Sequence, residues 1–558
     1  MSELTKTFRL FFPSSFRASG LIAALMFLIC LAAVESANAA TYTVTTTANT
    51  GAGSLRAAIS SANATAEADT IEFAIAAGDA GCMAGVCTIT LTSGNLAITS
   101  ATTAGTLLIT NSTGASNLLI SGNNTSRVFS VNSGANLTIN GVTITKGNGA
   151  GGIGNGSGGG IFNDAGGTLT LTNSTVSGNT ASASGGGIAA FGGTMTLTNS
   201  TVSGNTATDS AGGGIYAYGA TSTLTNSTVS GNTAINGGGI NNTNSATLTL
   251  INSTISGNMA SNNGGGIFNV GGATSTLTNS TVSGNTAFRE GGGIGNTDAL
   301  NLTSVTVTQN KSTCATCTGS GGIRSLTTAN LKNTIVAGNT KASESSTSAH
   351  DFYGAIAAGS SYNLIGNGQG TNGITNGANG NQIGTALMPI DPQLEDLAFN
   401  GGPTQTHALK ANSPAIDKGN SFGLTTDQRG FFRPVDLFDT AYPNASDGAD
   451  IGAFEAQFAA TPATVSIGGR VTTTSGQGIG GVSLTLFDNQ GNEIATTISS
   501  ASGDYHFDNV ELGATYTLKA TGKSYIFNQP SQVIHAYRNF DDVNFIGERV
   551  KRRSNLFQ

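Results

Sequence analysis

The chain has 558 residues, of which 80 are glycine, and only 9% of its residues are charged, with a formal net charge of −7. An ordinary soluble domain carries about 25% charged residues, and the exposed faces of helices need them. The composition therefore excludes most helical architectures. It also excludes a nucleic-acid partner, because phosphates require a basic surface.

Residues 1–39 predict an export signal that is absent from the mature chain. Lys6, Arg9 and Arg17 form a basic start, residues 21–34 form an apolar run, and Ala37-Asn38-Ala39 offers a small-residue cleavage site. The apolar run is shorter than the ~20 residues that span a membrane. We expect no transmembrane span in the mature chain, and an extracellular or cell-surface location.

The four cysteines of the mature chain form two local pairs, Cys82 with Cys87 and Cys314 with Cys317. Short disulfides are expected in an exported chain, and free thiols are the alternative. A zinc site at Cys314 and Cys317 would need two further ligands, and no histidine precedes His350. The sequence therefore predicts no resident metal at this pair.

The centre of the chain repeats itself with a fixed period. The segment TLTNSTVSGNTA begins at Thr170, Thr196, Thr223 and Thr276, and the variant TLINSTISGNMA begins at Thr249. The first asparagines of these copies are 26, 27, 26 and 27 residues apart. A period in this range indicates a solenoid.

The repeats predict a parallel β-helix with one coil for each copy. Within a copy, leucine alternates with threonine, as in a half-buried strand, and the glycine triplets between copies would break a helix. Leucine-rich repeats lack support because helix-forming residues are missing, and calcium-binding nonapeptide repeats would need an Asp in every turn. No proline occurs between Pro13 and Pro389, which fits hydrogen-bonded strands there.

Identical residues in stacked coils lie about 4.8 Å apart, so repeated asparagines are expected to form a side-chain ladder. The first asparagine of each copy begins an Asn-Ser-Thr sequence, which also matches the glycosylation sequon. Glycosylation is therefore the alternative interpretation of that asparagine, beside a role in the turn. The predicted ladder consists of Asn179, Asn205, Asn232, Asn258, Asn285, Asn310 and Asn339.

The predicted organisation is all-β, a right-handed solenoid followed by a small antiparallel sandwich. Ser54 is expected to cap a short helix that ends at Ala62, within an N-terminal cap. The predicted segments are 40–140 for the cap and first coils, 141–345 for the regular coils, 346–456 for irregular coils and a closing segment, 457–463 for a linker, 464–548 for the sandwich, and 549–558 for a basic tail.

Three segments resemble known families of exported bacterial proteins. Residues 43–63, TVTTTANTGAGSLRAAISSAN, are similar to the opening of surface proteins named for a Cys-Ser-Leu-Arg-Glu-Ala motif, with Gly53 and Ala57 replacing the Cys and Glu. The coils resemble the pectin-lyase-like right-handed β-helix superfamily, including polymorphic outer-membrane-type repeats. Residues 397–455, which contain NGGPTQTHAL, NSPAIDKGN, DQRGFFRP and DIGAFE, resemble the choice-of-anchor Q domain.

Charged residues of that last segment suggest a buried ion-pair network that closes the end of the β-helix. A calcium site formed by the same carboxylates is the alternative, and the sequence otherwise predicts no cofactor. The residues of this candidate cluster are Asp417, Asp427, Arg429, Arg433, Asp450 and Glu455.

Residues 464–547 contain short alternating runs separated by turn residues, which predicts an antiparallel β-sandwich. GGRV, GIGGVSLTL and GDYHF resemble the carboxypeptidase-regulatory-like, transthyretin-like fold. That resemblance implies a non-catalytic accessory or adhesion module.

Each glycine triplet of the coils is followed by an isoleucine, which we call the marker isoleucine. The residues directly after the marker isoleucines include aromatics on alternate coils, namely Phe162, Tyr216 and Phe268. They are either packing residues or, if they face outward, a track that stacks sugars. The few acids of the regular coils are too far apart for catalysis, and the coils contain no histidine. We therefore expect a non-catalytic adhesion protein that contacts an extracellular polysaccharide or protein. A polysaccharide lyase or hydrolase with a site in irregular loops, near His350 and Asp351, is the alternative.

Overall fold

A computed structural model describes residues 39–99, 105–154, 156–342, 347–436, 444–457, 464–536 and 539–550. The predicted export signal, apart from its last residue, lies outside this part of the chain, as do most of the predicted linker and basic tail. Two compact units are present, one reaching Gly430 and including Ala445–Phe454, the other formed by Phe431–Asn444 and the chain from Glu455. Among the described residues, no helix is long and apolar enough to cross a membrane.

The first unit is a parallel β-solenoid, as predicted. Its strands belong to a sheet of 22 strands, one of 11 and one of eight, which we call the long, second and third sheets. Every coil between Thr168 and Thr308 contributes to all three, and the pairs between these coils are parallel. The coils therefore hydrogen-bond directly to their neighbours.

The long sheet contains two strand series separated by a bend. In each regular coil, the strand before the bend, such as Thr168–Thr172, belongs to the first series, and the strand after it, such as Thr175–Ser177, belongs to the second. The strands of the long sheet are Thr41–Val44, Thr70–Phe73, Cys82–Met83, Val86–Thr90, Thr106–Thr110, Leu118–Ser121, Asn136–Asn140, Thr143–Thr145, Thr168–Thr172, Thr175–Ser177, Thr194–Thr198, Thr201–Ser203, Thr221–Thr225, Thr228–Ser230, Thr247–Ile251, Thr254–Ser256, Thr274–Ser283, Ala299–Thr308, Asn330–Lys332, Ile335–Val336, Leu364–Ile365 and Gln382–Ile383.

The second and third sheets have shorter strands. Those of the second are Leu96–Ile98, Phe129–Val131, Ile161–Asn163, Ile188–Phe191, Ile215–Tyr218, Ile240–Thr243, Ile267–Asn269, Ile294–Asn296, Ile323–Ser325, Phe352–Ala355 and Thr371–Asn372. Those of the third are Thr180–Ala181, Thr206–Ala207, Thr233–Ala234, Met259–Ala260, Thr286–Ala287, Lys311–Ser312, Thr340–Ala342 and Thr347–Ala349. Two 3-10 helices occupy Ala115–Asn117 and Ala378–Gly380.

The N-terminal cap contains the predicted helix, α1, at Leu55–Ala62. The Ser54 side chain accepts a hydrogen bond from the backbone N–H of Ala57, as expected of an N-cap, and α1 buries its apolar face. Cys82 and Cys87 form a disulfide across a two-strand hairpin, and Cys314 and Cys317 form the second disulfide.

Strand alternation and a left-handed residue define each coil. Leu169 and Leu171 are fully buried, whereas the intervening threonines face outward. Asn173 follows with a φ of 48°, and the equivalent asparagines of the next four copies share this conformation. Asparagine tolerates positive φ better than most residues, so it suits the bend between the two strand series.

The glycine triplets are required because neighbouring coils approach closely there. A Cβ built on Gly186 would lie 2.4 Å from the Gly213 carbonyl oxygen. The backbone N–H of Gly186 donates to the Gly212 carbonyl at 3.0 Å. Any side chain at this position would separate the coils.

The seven predicted asparagines form one continuous buried ladder. Each Nδ2 donates to the Oδ1 of the next residue at 2.9 to 3.0 Å. Each Oδ1 from Asn205 onward also accepts the backbone N–H of the preceding asparagine at 2.9 to 3.0 Å. The side-chain amide thereby connects every pair of coils twice.

Asp351 terminates this ladder. Its Oδ1 accepts both the backbone N–H and the Nδ2 of Asn339, at 2.7 and 2.9 Å, and its Oδ2 accepts the backbone N–H of Asn367 at 2.7 Å. Burial raises the pKa of Asp351 to about 6, although these hydrogen bonds act in the opposite direction. A carboxylate suits the end of the ladder because it only accepts hydrogen bonds.

Arg127 is a fully buried cation near the start of the regular coils. Its guanidinium donates to backbone carbonyls of a glycine-rich loop, including those of Gly149, Ile153 and Gly154. Burial lowers its pKa to about 10, so it remains protonated at neutral pH. Arg127 thus holds a loop that the repeat pattern does not specify.

The predicted closing segment lies along the side of the solenoid rather than across its end. Thr404 donates to the Asn252 carbonyl at 2.9 Å, Gln428 accepts from Thr281 at 2.6 Å, and Asn333 donates to the Asp450 carbonyl at 2.8 Å. These contacts follow successive coils, so the segment covers the second strand series from Thr254 onward. The expectation from the sequence that this segment closes the end of the β-helix with an ion-pair network is therefore wrong.

The second unit contains the predicted small antiparallel sheets. One consists of Thr464–Thr473, Asp504–Glu511, Phe545–Arg549 and Tyr525–Phe527, with one parallel pair between Thr464–Thr473 and Phe545–Arg549. The other consists of Ser483–Phe487, Glu493–Ile498, Thr515–Thr521 and Ser531–His535. Leu484, Leu486 and Leu518 lie in the apolar core of this unit.

Replacing a central ladder residue should destabilise the solenoid. In Asn232→Ala, the buried backbone N–H and Nδ2 of Asn205 lose their common acceptor, at a cost of about 3 kcal/mol in the free energy of unfolding. The control Asn199→Gly alters an exposed asparagine at a positive φ, where glycine is well tolerated. Urea unfolding of both variants checks this; equal stabilities would contradict the role of the ladder.

The contribution of Asp351 to stability should depend on pH. Because its pKa rises from 3.8 to about 6 on folding, the stability it contributes is present below pH 4 and is lost as pH rises through 6. We expect the unfolding free energy of the wild type, relative to Asp351→Asn, to fall by about 3 kcal/mol between pH 4 and 8. A pH-independent difference would show that folding does not change the pKa of Asp351.

Candidate functional site

Outward positions of the second sheet bring several aromatic side chains together. In Ile188–Phe191 and Ile215–Tyr218 the first and third residues point into the core, so the second and fourth face away from it. Parallel pairing sets Phe191 beside Tyr218 and Ala189 beside Tyr216. The residues Phe191, Tyr216 and Tyr218, which we call the aromatic patch, therefore occupy two neighbouring coils.

The rings of the aromatic patch are in mutual contact. The Phe191 ring centroid lies 5.5 Å from those of Tyr216 and Tyr218, and the two tyrosine rings are 6.3 Å apart with an interplanar angle of 23°. Tyr218 is 40% exposed, and the other two rings are half-buried. Ring contacts of this kind fix the orientation of each side chain.

Of the three aromatics predicted as a sugar track, Phe162 and Tyr216 each contact Phe191, and Phe162 is covered. Phe162 stacks on Phe191 at 5.3 Å but is only 4% exposed. The guanidinium of Arg127 lies 4.9 Å from its ring centroid, and Gly154 packs on the ring edge. Phe162 thus supports the patch as a packing residue and offers no stacking surface.

Phe268 lies two coils beyond Tyr216 in the same outward column, separated from it by Asn241. It is half-buried, and its ring lies against Gly295 of the following coil. The alternate-coil track predicted from the sequence is therefore not continuous. Phe191 and Tyr218 replace it as neighbours of Tyr216.

A polar group borders the aromatic patch. The Tyr216 hydroxyl hydrogen-bonds to Ser184, and Ser184 lies 2.9 Å from the Ser210 hydroxyl. Burial, aided by Tyr218, raises the pKa of Tyr216, so its hydroxyl stays neutral at physiological pH. Asp209, adjacent to Ser210, is exposed. The patch therefore combines an exposed ring with hydroxyl groups.

The six residues of the predicted ion-pair or calcium cluster are divided between the two units. In the first unit, Asp427 pairs with Arg429 at 2.7 Å, and the backbone N–H of Asp417 donates to Asp450 at 2.8 Å. In the second unit, Arg433 pairs with Glu455 at 2.7 Å, and both side chains are fully buried. Each observed ion pair is compensated locally.

Among the described residues, no three His, Cys, Asp or Glu side chains are grouped so that they could hold a metal ion. The Arg429 guanidinium, which pairs with Asp427, also lies 3.6 Å from the centroid of the Phe454 ring. Calcium dependence remains a prediction from the sequence.

The candidate catalytic loop near His350 uses its carboxylate for structure. Asp351 is 1% exposed, and both of its oxygens accept the ladder and loop hydrogen bonds described above. Burial and the nearby Lys341 lower the pKa of His350, whose ring lies 6.2 Å from that of Tyr353. His350 and Asp351 therefore do not form a paired acid and base.

A serine and histidine do meet elsewhere, between the side segment and the long sheet. Ser283 Oγ lies 2.7 Å from His407 Nε2, and His407 Nδ1 donates to the Glu395 carbonyl at 2.7 Å. Burial lowers the pKa of His407, so the ring is neutral and accepts from Ser283. Both side chains are 1% exposed, so they are not accessible to a substrate in this structure.

Acidic residues of the regular coils are likewise engaged or isolated. Glu290 pairs with Arg324 at 2.5 Å, and Asp298 accepts from Thr297 at 2.8 Å. Asp164 follows a strand of the second sheet, several coils from Asp298. Glu290 and Asp298 therefore have local hydrogen-bonding partners, and Asp164 lies several coils away from Asp298.

Sequence reasoning missed Phe191, Tyr218, Arg127 and a second amide ladder. Asn242, Asn269 and Asn296 donate in turn from Nδ2 to the next coil, ending at Ser325, at 2.7 to 2.9 Å. The signal was present, since these asparagines stand two residues after the marker isoleucines. Phe191 and Tyr218 stand three residues after theirs, on the same side as Tyr216.

Comparisons with known proteins agree with this architecture. Residues 159–369 match the family model of the right handed beta helix region, and residues 466–539 match that of the carboxypeptidase regulatory-like domain. No curated protein matches the chain. The chain therefore contains a right-handed β-helix and a carboxypeptidase regulatory-like domain, as the resemblances implied, whereas the choice-of-anchor Q resemblance remains a prediction.

Two solved structures illustrate the range of similarity. Pectate lyase Pel9A is 14% identical over 75% of this chain and 98% of its own, with a TM-score of 0.36. The Bacillus anthracis TIE protein is 17% identical, with a TM-score of 0.14 over 16% of this chain. That second match spans 17% of the TIE protein's length.

Proposed function

We propose that this protein is an exported, non-catalytic adhesion protein that binds extracellular or cell-surface carbohydrate through its aromatic patch. The observation that carries the proposal is the contact of Phe191, Tyr216 and Tyr218 on a rigid sheet, with Tyr218 40% exposed. Aromatic rings stack on the apolar faces of sugars, and neighbouring hydroxyl and carboxylate groups hydrogen-bond to sugar hydroxyls.

The polar surroundings of the patch support a sugar rather than a purely apolar ligand. Tyr216, Ser184 and Ser210 form a chain of hydroxyls, and Asp209 lies next to its end. A neutral tyrosine both donates and accepts a hydrogen bond. The carboxypeptidase regulatory-like domain acts as an accessory module in this proposal.

The lack of catalysis is supported by how the candidate acids and bases are used. Asp351 ends a buried ladder, His407 is buried, and Glu290 is paired with Arg324. A catalytic acid or base must reach the atom it protonates or deprotonates. Turnover of any polysaccharide by the purified protein, lost in Glu290→Gln, would overturn this part of the proposal.

Removing an exposed ring of the patch should weaken carbohydrate binding. We expect Tyr218→Ala to lower affinity about tenfold for glycans that the wild type binds on an array, because one stacking contact is lost. Phe288→Ala, which removes another exposed ring of the same unit, is the matched control and should bind normally. Absence of glycan binding, or an equal effect of both substitutions, would contradict the patch.

Export predicts that the mature protein begins near residue 40. The basic start, the apolar run of residues 21–34 and the small residues before Ala40 support cleavage there. Cell fractionation combined with mass spectrometry of the N-terminal peptide checks this. An intact N-terminus on protein retained in the cytoplasm would contradict export.

A further inference from the structure

The outer surface of the first strand series is an almost uniform array of threonine. Strands Thr168–Thr172, Thr194–Thr198, Thr221–Thr225, Thr247–Ile251 and the first half of Thr274–Ser283 each have three outward positions, fifteen in all. Ile251 is the one exception, so fourteen are threonine. All fifteen side chains are exposed or half-exposed. We call these fourteen residues the threonine array.

Strand pairing places the array on a two-dimensional grid. Thr170 pairs with Thr196, Thr196 with Thr223, and Thr223 with Thr249, without a register shift. The grid therefore repeats at about 4.8 Å between coils and about 6.6 Å along each strand. Threonine is stiff at χ1, so its hydroxyl and methyl groups hold fixed positions on this grid.

One of the two inward columns of the same strands is less uniform than this surface, whereas the other is leucine in all five coils. The inward residue between the first two threonines is Leu169, Met195, Ser222, Leu248 and Ser275 in successive coils. Packing of the variable inward column therefore does not dictate threonine on the outside. Among the β-branched residues that suit strands, threonine is the polar one, so it also suits an exposed position.

Another outward column of the solenoid lacks this uniformity. The second sheet has Phe162, Ala189, Tyr216, Asn241 and Phe268 at equivalent positions of successive coils. The repeat therefore does not fix every exposed residue. Outward threonines also recur singly in the second strand series and the third sheet, but only the first strand series has three outward positions in each coil.

The array remains open although a neighbouring face is covered. The side segment buries Thr254 and Thr281, which lie across the bend, through Gln405 and Gln428. Thr249 and Thr276 of the same coils remain half-exposed. The side segment therefore covers the second strand series of these coils and leaves the threonine array of the first strand series accessible.

We propose that the threonine array binds ice. The oxygen atoms on faces of hexagonal ice repeat in two directions at spacings of this order, and a grid of hydroxyl and methyl groups can order water to match. The fifteen positions carry no charge, which suits an uncharged crystal surface and avoids strongly hydrated groups. They carry no aromatic ring either, unlike the aromatic patch, so a sugar-stacking role is disfavoured here.

The test uses the full mature chain and ice itself as the probe. Slow growth of polycrystalline ice should enrich the wild type in the ice fraction, and single crystals grown with it should become faceted. Thr196→Tyr, at the middle of the array, should abolish both effects. Thr206→Tyr makes the same change on the third sheet of the same coil and should retain them.

Exclusion of the wild type from ice, or equal behaviour of the two tyrosine variants, would overturn the proposal. Sedimentation with crystalline cellulose or chitin tests a crystalline polysaccharide as the alternative partner. If the wild type binds the polysaccharide but is not enriched in ice, and Thr196→Tyr abolishes that binding, the array is a polysaccharide site instead. Tyr218→Ala should still be enriched in the ice fraction, because Tyr218 lies outside the array. Failure of the carbohydrate proposal is thereby distinguished from failure of the ice proposal. Thermal unfolding of each variant verifies the fold.

Discussion

Parallel stacking in register places each side chain on its counterpart in the next coil, and most features of the solenoid follow from this constraint. Two like charges about 4.8 Å apart repel each other. An amide, in contrast, both donates and accepts, so identical asparagines satisfy one another from Asn179 to Asn339. The low charge content, 9%, is therefore a consequence of the architecture. Where the ladder stops, Asp351 provides acceptors without needing a further partner.

Features that depend on one repeat were readable from the sequence. The period, the strand alternation and the asparagine ladder all follow from residues whose partners are one coil away. Arg127 did not follow, because its acceptors belong to a glycine-rich loop outside the repeat pattern. The side segment was also beyond reach, since contacts such as Gln428 with Thr281 join residues 147 positions apart.

The candidate site was only partly predictable for the same reason. Tyr216 faces outward because of the strand register, which the sequence contains. Phe162 has the equivalent register, yet it is covered, because Arg127 holds the loop containing Gly154 against it. Phe191 and Tyr218 required one further step, since residues two apart on a strand share a face. Exposure at such positions is decided by loops that differ between coils.

The solenoid carries two chemically different kinds of outward surface, each of which we propose as a binding site. An aromatic patch arises where two neighbouring coils depart from the repeat, so it suits a ligand of limited size. A threonine array arises where the coils keep to the repeat, so it suits a ligand that is itself periodic. Where unlike charges do occur together, as at Glu290 and Arg324, they neutralise each other.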